Sequence, residues 1–357
     1  MKRSEIILLI IVLIMIMIPV AVAKQPSLSL QKAIKLALKE DLDLKIAKTK
    51  LKTNKLIYQK NKINNLLLQS HTKYLENKLA FLEAKRNYYQ QRNEVIIKLT
   101  KQYLNLLQKK KSLQLKESQL LLKKKELKNI RIQVRKGHKK RIKLLEKQIE
   151  YNSVEYELKK ARDDYHLLQQ KFKTTIGISE NQKANMLKLD SPRIWRITKK
   201  EAVRIAKENN LVLKLNKKRI ELTTANLKRI KVLDIPLLEI QRVKQKNKLA
   251  ILQEEKIRRD LLTGVKRDYQ QLIQAIGSLK LRKRHLKQIK KSYKIIKEYQ
   301  QAGLRSKNEL LQVKIRLLKG RSNYQIAITN YYLAILNLKQ QMGLQIGVRF
   351  DDFSPKK

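Results

Sequence analysis

Ala33-Ile34-Lys35-Leu36-Ala37, followed by Leu42-Asp43-Leu44-Lys45, returns 169 positions later as Ala202-Val203-Arg204-Ile205-Ala206, followed by Leu211-Val212-Leu213-Lys214. A chain that matches itself at such a distance is built from two copies of one structural unit. Further matches at an offset of 166 run through the rest of each copy: Tyr103, Leu106 and Leu107 pair with Tyr269, Leu272 and Ile273. At the same offset Gly137 pairs with Gly303, Leu144-Leu145 with Leu310-Leu311, Tyr165 with Tyr331, and Gly177 with Gly343. The organisation that follows is a first repeat over 24–178, a linker over 179–195 containing Asp190-Ser191-Pro192, a second repeat over 196–343 and a tail over 344–357.

Each copy has the same helical grammar. Ser29 and Thr198 stand where an N-cap opens a short helix. A long helix follows, marked by Leu99, Leu106, Leu113, Leu120, Leu127 and Val134 in the first copy. Val265, Leu272, Leu279, Leu286 and Tyr293 mark it in the second. Apolar residues every seven positions require a partner helix and a left-handed supercoil. Gly137 and Gly303 end the long helices. The chain then returns through Leu144, Ile149, Tyr156, Tyr165 and Leu168, or through Leu310, Ile315, Leu318, Tyr331 and Ile335. A helix of roughly 60 residues spans about 90 Å at 1.5 Å per residue. The expected fold is all-α: long antiparallel coiled-coil helices in two tandem repeats, forming a rod too thin to bury its apolar stripes alone.

The first residues point to export. Met1-Lys2-Arg3 is a basic start, 6–23 carries no charge, and Ala21-Val22-Ala23 is a small-x-small cleavage site, so 1–23 reads as a signal peptide; the alternative for an apolar run of this length is an uncleaved membrane anchor. With no cysteine, disulfides, thiolate metal sites, cysteine nucleophiles and a lipid-modified N-terminal cysteine are excluded. Lys and Arg number 84 against 30 Asp and Glu, a net charge of +54. Such a surface favours anionic surroundings, namely lipid headgroups or envelope polymers. Export argues against nucleic acid as the partner. The densest basic run, 135–143 around Gly137, reads as a solvated hairpin tip.

No catalytic or cofactor chemistry is legible. His71, His138, His166 and His285 are scattered without metal-ligand spacing. Neither a phosphate-binding Gly-rich loop nor a nucleophile elbow is present. The expectation is a protein that is not an enzyme, with no catalytic, cofactor-binding or metal-binding residues.

Leu28-Ser29-Leu30-Gln31-Lys32-Ala33-Ile34-Lys35-Leu36-Ala37-Leu38, followed by an acidic or Asn pair and Leu-x-Leu, resembles the "L-T-L-x-E-A-I-x-L-A-L-x-N-N-P-x-L" opening of TolC-like repeats. Glu208-Asn209-Asn210-Leu211 shows the Asn pair directly. Ala302-Gly303-Leu304 through Glu309-Leu310-Leu311, closing at Gln341-Met342-Gly343, resembles the hairpin and end of the same family, the outer membrane efflux proteins. The resemblance implies a homotrimeric helical tunnel that works with an inner-membrane pump and a periplasmic adaptor, in the periplasm or at the outer membrane. It also implies β-barrel strands inside each repeat, over 58–95 and 229–266. The first stretch reads as charged helix, and the second offers only 232–240, broken by Pro236, as an extended piece. Membrane strands need about nine to eleven alternating residues with aromatic girdles, so the strands are expected to be reduced or absent. At the family's tunnel-tip constriction stand Glu309 and Gln312 in the second copy, and Lys143 and Glu146 in the first. The functional expectation is a conduit component of an efflux or type I secretion system. The alternative is a cationic envelope coiled coil that binds anionic polymers or a partner and forms no pore.

Overall fold

The computed structural model describes residues 27–68, 70–182, 185–187, 191–232 and 235–347. The signal segment 1–23, Asp190 of the linker and the end of the tail lie outside the described residues.

Two-residue strands aside, the described residues are helices and their connections. In the first copy these are β1 (Ser27–Leu28), α1 (Leu30–Glu40), α2 (Leu42–Leu68), α3 (His71–Arg135) and α4 (Arg141–Thr175). In the second they are α5 (Lys199–Asn209), α6 (Leu211–Val232), α7 (Leu237–Gln301) and α8 (Lys307–Gln341), after β2 (Asn185–Met186) in the linker. Both long helices, α3 and α7, have 65 residues, about 98 Å at 1.5 Å per residue.

The short opening helices form where expected. Ser29 accepts the Lys32 N–H and Thr198 the Glu201 N–H, each satisfying a donor of the first turn. Their ends explain the acidic-or-Asn motif. Asp41 and Asn210 leave the helical region, with ψ 115° in both, and so terminate α1 and α5. Their side chains then accept the N–H of Leu44 at 2.7 Å and of Val212 and Leu213 at 2.9 and 3.1 Å. One residue thus closes one helix and caps the next.

The four long lines of helix lie side by side in an open row. α2 and α4 stack end to end against the single span of α3, while α6 and α8 do the same against α7. α3 also packs on α6 and α8, which joins the two copies. The order across the row is therefore α2/α4, α3, α6/α8, α7. α4 packs chiefly on α3, and α7 on α6 and α8, so the two outer lines are edges.

A waist crosses the row near its middle. α1 inserts Leu30, Ala33, Ile34 and Ala37 onto Val95, Ile96, Leu99 and Tyr103 of α3, with Phe172 and Ile176. α5 sets Ala202, Ile205 and Ala206 on Val265, Leu272 and Ala275 of α7, with Tyr331 and Ile335 of α8. The linker is tied to both cores. β1 pairs in parallel with β2 (Ser27 opposite Asn185), and Tyr103 Oη lies 2.9 Å from Leu28 O and 2.7 Å from Leu187 O. Asn93 donates to Leu344 O and accepts the Ile346 N–H, holding the tail on α3.

Position in the row decides which predicted stripes are buried. Val265, Leu272, Leu279 and Leu286 are buried, as are Leu99, Leu106 and Leu127. Leu318, Tyr331 and Ile335 of α8 are buried between two neighbours. Ile149 and Tyr156 of α4, predicted for the same packing, are each 69% exposed. α4 is an edge with one neighbour, so half of its stripe faces outward. The extended piece expected over 232–240 is corrected: α6 runs to Val232, Pro236 is the N-cap of α7, and that helix runs on from Leu237. Pro suits the start of a helix because its missing N–H has no partner there.

Candidate functional site: the rod tip and the open edges

At one end of the rod α3 turns into α4 and α7 into α8. Both turns close through the same pair of backbone bonds. His138 N–H donates to Gln133 O and Gly137 N–H to Val134 O; Leu304 N–H donates to Tyr299 O and Gly303 N–H to Gln300 O. This Schellman arrangement needs a residue at positive φ, supplied by Gly137 (φ 75°) and Gly303 (φ 73°). A Cβ on either would meet nothing within 4 Å, so backbone conformation alone selects glycine there.

The four tip residues singled out in the sequence lie in the opening turns of α4 and α8. Glu309 completes a capping box: it accepts the Ser306 N–H at 2.8 Å while Ser306 Oγ accepts the Glu309 N–H at 3.1 Å. The Ser306 backbone, and next the Arg305 guanidinium at 3.2 Å, hold its carboxyl below the usual carboxylate range. Glu146 pairs with Lys143 at 2.9 Å on its own helix. Gln312 is exposed one turn into α8. Each carboxylate is thus engaged within its own hairpin. Around them Arg135, Lys136, Lys139, Lys140 and Arg141 are exposed, which gives this end a positive surface. The four histidines are exposed as well.

A further feature escaped sequence reading, although its signal was present. Lys109, Lys116 and Lys123 recur every seven residues on α3, and Asp164, Glu157 and Glu150 recur in reverse order on α4. They face each other at 3.6, 2.7 and 2.7 Å. Lys147 adds a second cation to Glu150 at 2.8 Å. With Lys123 as the larger cause and Lys147 next, the Glu150 carboxyl is lowered to about 2. The equivalent positions of the second copy, Ala275, Arg282, Ile289, Arg316, Asn323 and Asn330, hold no carboxylate. There Leu286 and Ile289 close on Gly320.

The edges are the other candidate surface. α4 exposes Ile142, Leu145, Ile149 and Tyr156, spaced three, four and seven apart. α7 exposes Leu281, Ile295 and Tyr299 along the opposite edge. Such spacing keeps one face of a helix apolar, and each stripe needs a partner that the described residues do not supply.

No protein-family model matches the chain, and no curated protein matches it in sequence. Solved structures do match. The outer membrane protein VceC of Vibrio cholerae aligns at a TM-score of 0.60 and 11% identity, covering 88% of this chain and 96% of that one. The open-state MtrE outer membrane channel of Neisseria gonorrhoeae aligns at 0.60 and 11%, covering 88% and 89%. The CmeC outer membrane channel of Campylobacter jejuni aligns at 0.56 and 14%, covering 88% and 85%. The chain therefore shares the fold of these proteins, TolC-like in its helices, and among the described residues helix stands where the resemblance implied strands.

Proposed function

We propose that this chain is an exported conduit subunit, a TolC-like outer membrane factor whose helical tunnel serves efflux or secretion in the periplasm or at the outer membrane. One observation carries the reading: the row of helices is open, with an unpartnered apolar stripe on each of two different edges. A surface on one edge that fits a different surface on the other gives head-to-tail contacts, and a rotation that closes makes a ring. The α4 edge of one copy would meet the α7 edge of the next. The number three comes from the resemblance, as do an inner-membrane pump and a periplasmic adaptor as partners. A transport role, as opposed to catalysis, also agrees with the channel proteins that share the fold.

In such a ring the tips would surround one opening. Lys143, Glu146, Glu309 and Gln312 are the candidates for its constriction, and Gly137 and Gly303 shape the turns that carry them. The basic residues of the 135–141 turn would make that opening attractive to anions.

Light scattering on the chain from residue 24 onward tests the reading. A stable trimer at moderate salt is the expected mass. A monomer would overturn it and leave the alternative, a cationic envelope coiled coil that binds anionic polymers or a partner and forms no pore.

A further inference from the structure

At the end of the rod opposite Gly137 and Gly303, α2 turns into α3 and α6 into α7. Asn93 bonds to Leu344 while Leu104 packs in the cluster of Ile328 and Tyr331, so α8, and α6 in the same line, run antiparallel to α3; Arg219 with Glu83 at 2.8 Å fixes the register of α6. Continuing both helices in that register brings Val232 level with Ser70, so both turns lie at one end. The side chains presented there are not those of an ordinary solvated turn. Val232 is 87% exposed, Leu237 69% and Leu238 79%, and Ile63 stands exposed at the end of α2. Around them lie exposed Lys60, Lys62, Lys228, Arg229 and Lys231. The nearest described carboxylates are already paired, Glu239 with Arg242 and Glu76 with Lys73.

We infer that this end of the rod is an interfacial anchor for an anionic lipid surface: Val232, Leu237 and Leu238 enter the headgroup boundary, and the cations around them bind lipid phosphates. An apolar cap with a basic collar matches such a surface in both of its properties. The cap's neighbours favour a lipid surface over a soluble polyanion, which offers nothing for Val232 and Leu237 to enter. No described helix is long and apolar enough to cross a membrane; the contact proposed for this tip is at the lipid surface. The inference adds to the conduit reading, on which only the envelope location rests, a helical means of seating the tunnel.

Co-sedimentation of the full mature chain with phosphatidylcholine vesicles, with and without phosphatidylglycerol, tests it. The unsubstituted chain is expected to bind only the anionic vesicles. V232D combined with L237D should weaken that binding by about tenfold or more, because the apolar contribution is lost. R229E combined with K231E should weaken it and flatten its salt dependence. L304D, at the opposite tip, should change nothing. All the substituted side chains are exposed, and helical circular dichroism verifies that they fold. Equal binding by V232D/L237D, loss of binding in L304D, or full competition by soluble polyphosphate irrespective of the apolar pair would overturn the inference. Light scattering on the same samples separates the two readings. Trimers that fail to bind vesicles sink the anchor alone. A fall in mass caused by V232D/L237D would assign the patch to the contact between subunits, again overturning the anchor.

Discussion

Lys123 Nζ lies 2.7 Å from Glu150 Oε2 across the first hairpin, and it also reaches Glu126 at 3.0 Å. Glu150 answers with a second cation, Lys147. The group is a charge lattice laid along the seam between α3 and α4, at a depth where in the second copy Leu286 lies against Gly320.

This lattice has a pH signature. The Glu150 carboxyl is lowered to about 2 from a reference of 4.5. A depressed folded pKa means that the stabilisation is complete above about 4.5 and is lost as pH falls toward 2. Partial exposure limits it to roughly 0.2–1 kcal/mol. Thermal melts of Glu150→Gln should therefore lie below the unsubstituted chain at pH 7 and converge with it near pH 2. A gap that persists at the low end would contradict the assignment.

Two glycines at positive φ should respond unequally to alanine. Gly303→Ala meets no neighbour and costs only the left-handed backbone term, about 1 kcal/mol. Gly343 also has a positive φ of 71°, and a Cβ there would sit 2.8 Å from Asn210 Cα and 2.9 Å from Asn209 O. Backbone atoms give way far less than side chains, so Gly343→Ala is expected to cost roughly 3 kcal/mol. Urea denaturation of the two variants checks the order.

Tyr331 Oη accepts the Trp195 N–H at 2.7 Å and donates to Arg193 O at 2.8 Å. Tyr331→Phe leaves both backbone groups without that partner, at a cost of roughly 1–3 kcal/mol. Trp195 is the sole tryptophan, so its emission reports the linker directly. The variant should show a red-shifted emission and faster hydrogen exchange at the Trp195 amide, with the helical signal retained.

Tyr103 makes an alkaline counterpart. Burial pushes its hydroxyl up to about 12. The contribution is whole below pH 10 and fades as pH rises from 10 toward 12. Tyr103→Phe should remove that part of the alkaline stability loss; an unchanged profile would exclude Tyr103 as its source.

Ile149→Glu with Tyr156→Glu tests the edge. Both side chains are 69% exposed in the single chain, so the helical content should be unchanged. The mass in solution should fall to that of one chain, by light scattering. Retention of an oligomer would exclude α4 as the contact.

Periodicity made the repeat, the caps and the buried heptads readable, because Leu272 and Leu279 obey the same spacing whichever neighbour they meet. It did not say which neighbour. Ile149 and Tyr156 carry a sound helical stripe, yet that stripe faces away from the chain that bears it. Pro236 in sequence looks like a break in an extended piece because Val232 and the apolar residues after it suit a strand as well as a helix start. The charge lattice was missed for a different reason: lysines are so common in this chain that three at heptad spacing stand out only when the opposing carboxylates are read backwards. Glu309 is engaged by a cap and Glu146 by a neighbouring lysine, which no spacing rule reveals.

The two hairpins are near-copies glued by different forces, and the solution acts on them differently. Added salt screens the lysine–carboxylate seam of α3 and α4, whereas the closely packed seam at Gly320 is indifferent to screening or tightens under excluded salts. Ionic strength is therefore a selective softener: it lowers the stiffness of one arm of the rod and spares the other. Wherever several such rods stand side by side, compliant and rigid arms would alternate around the assembly.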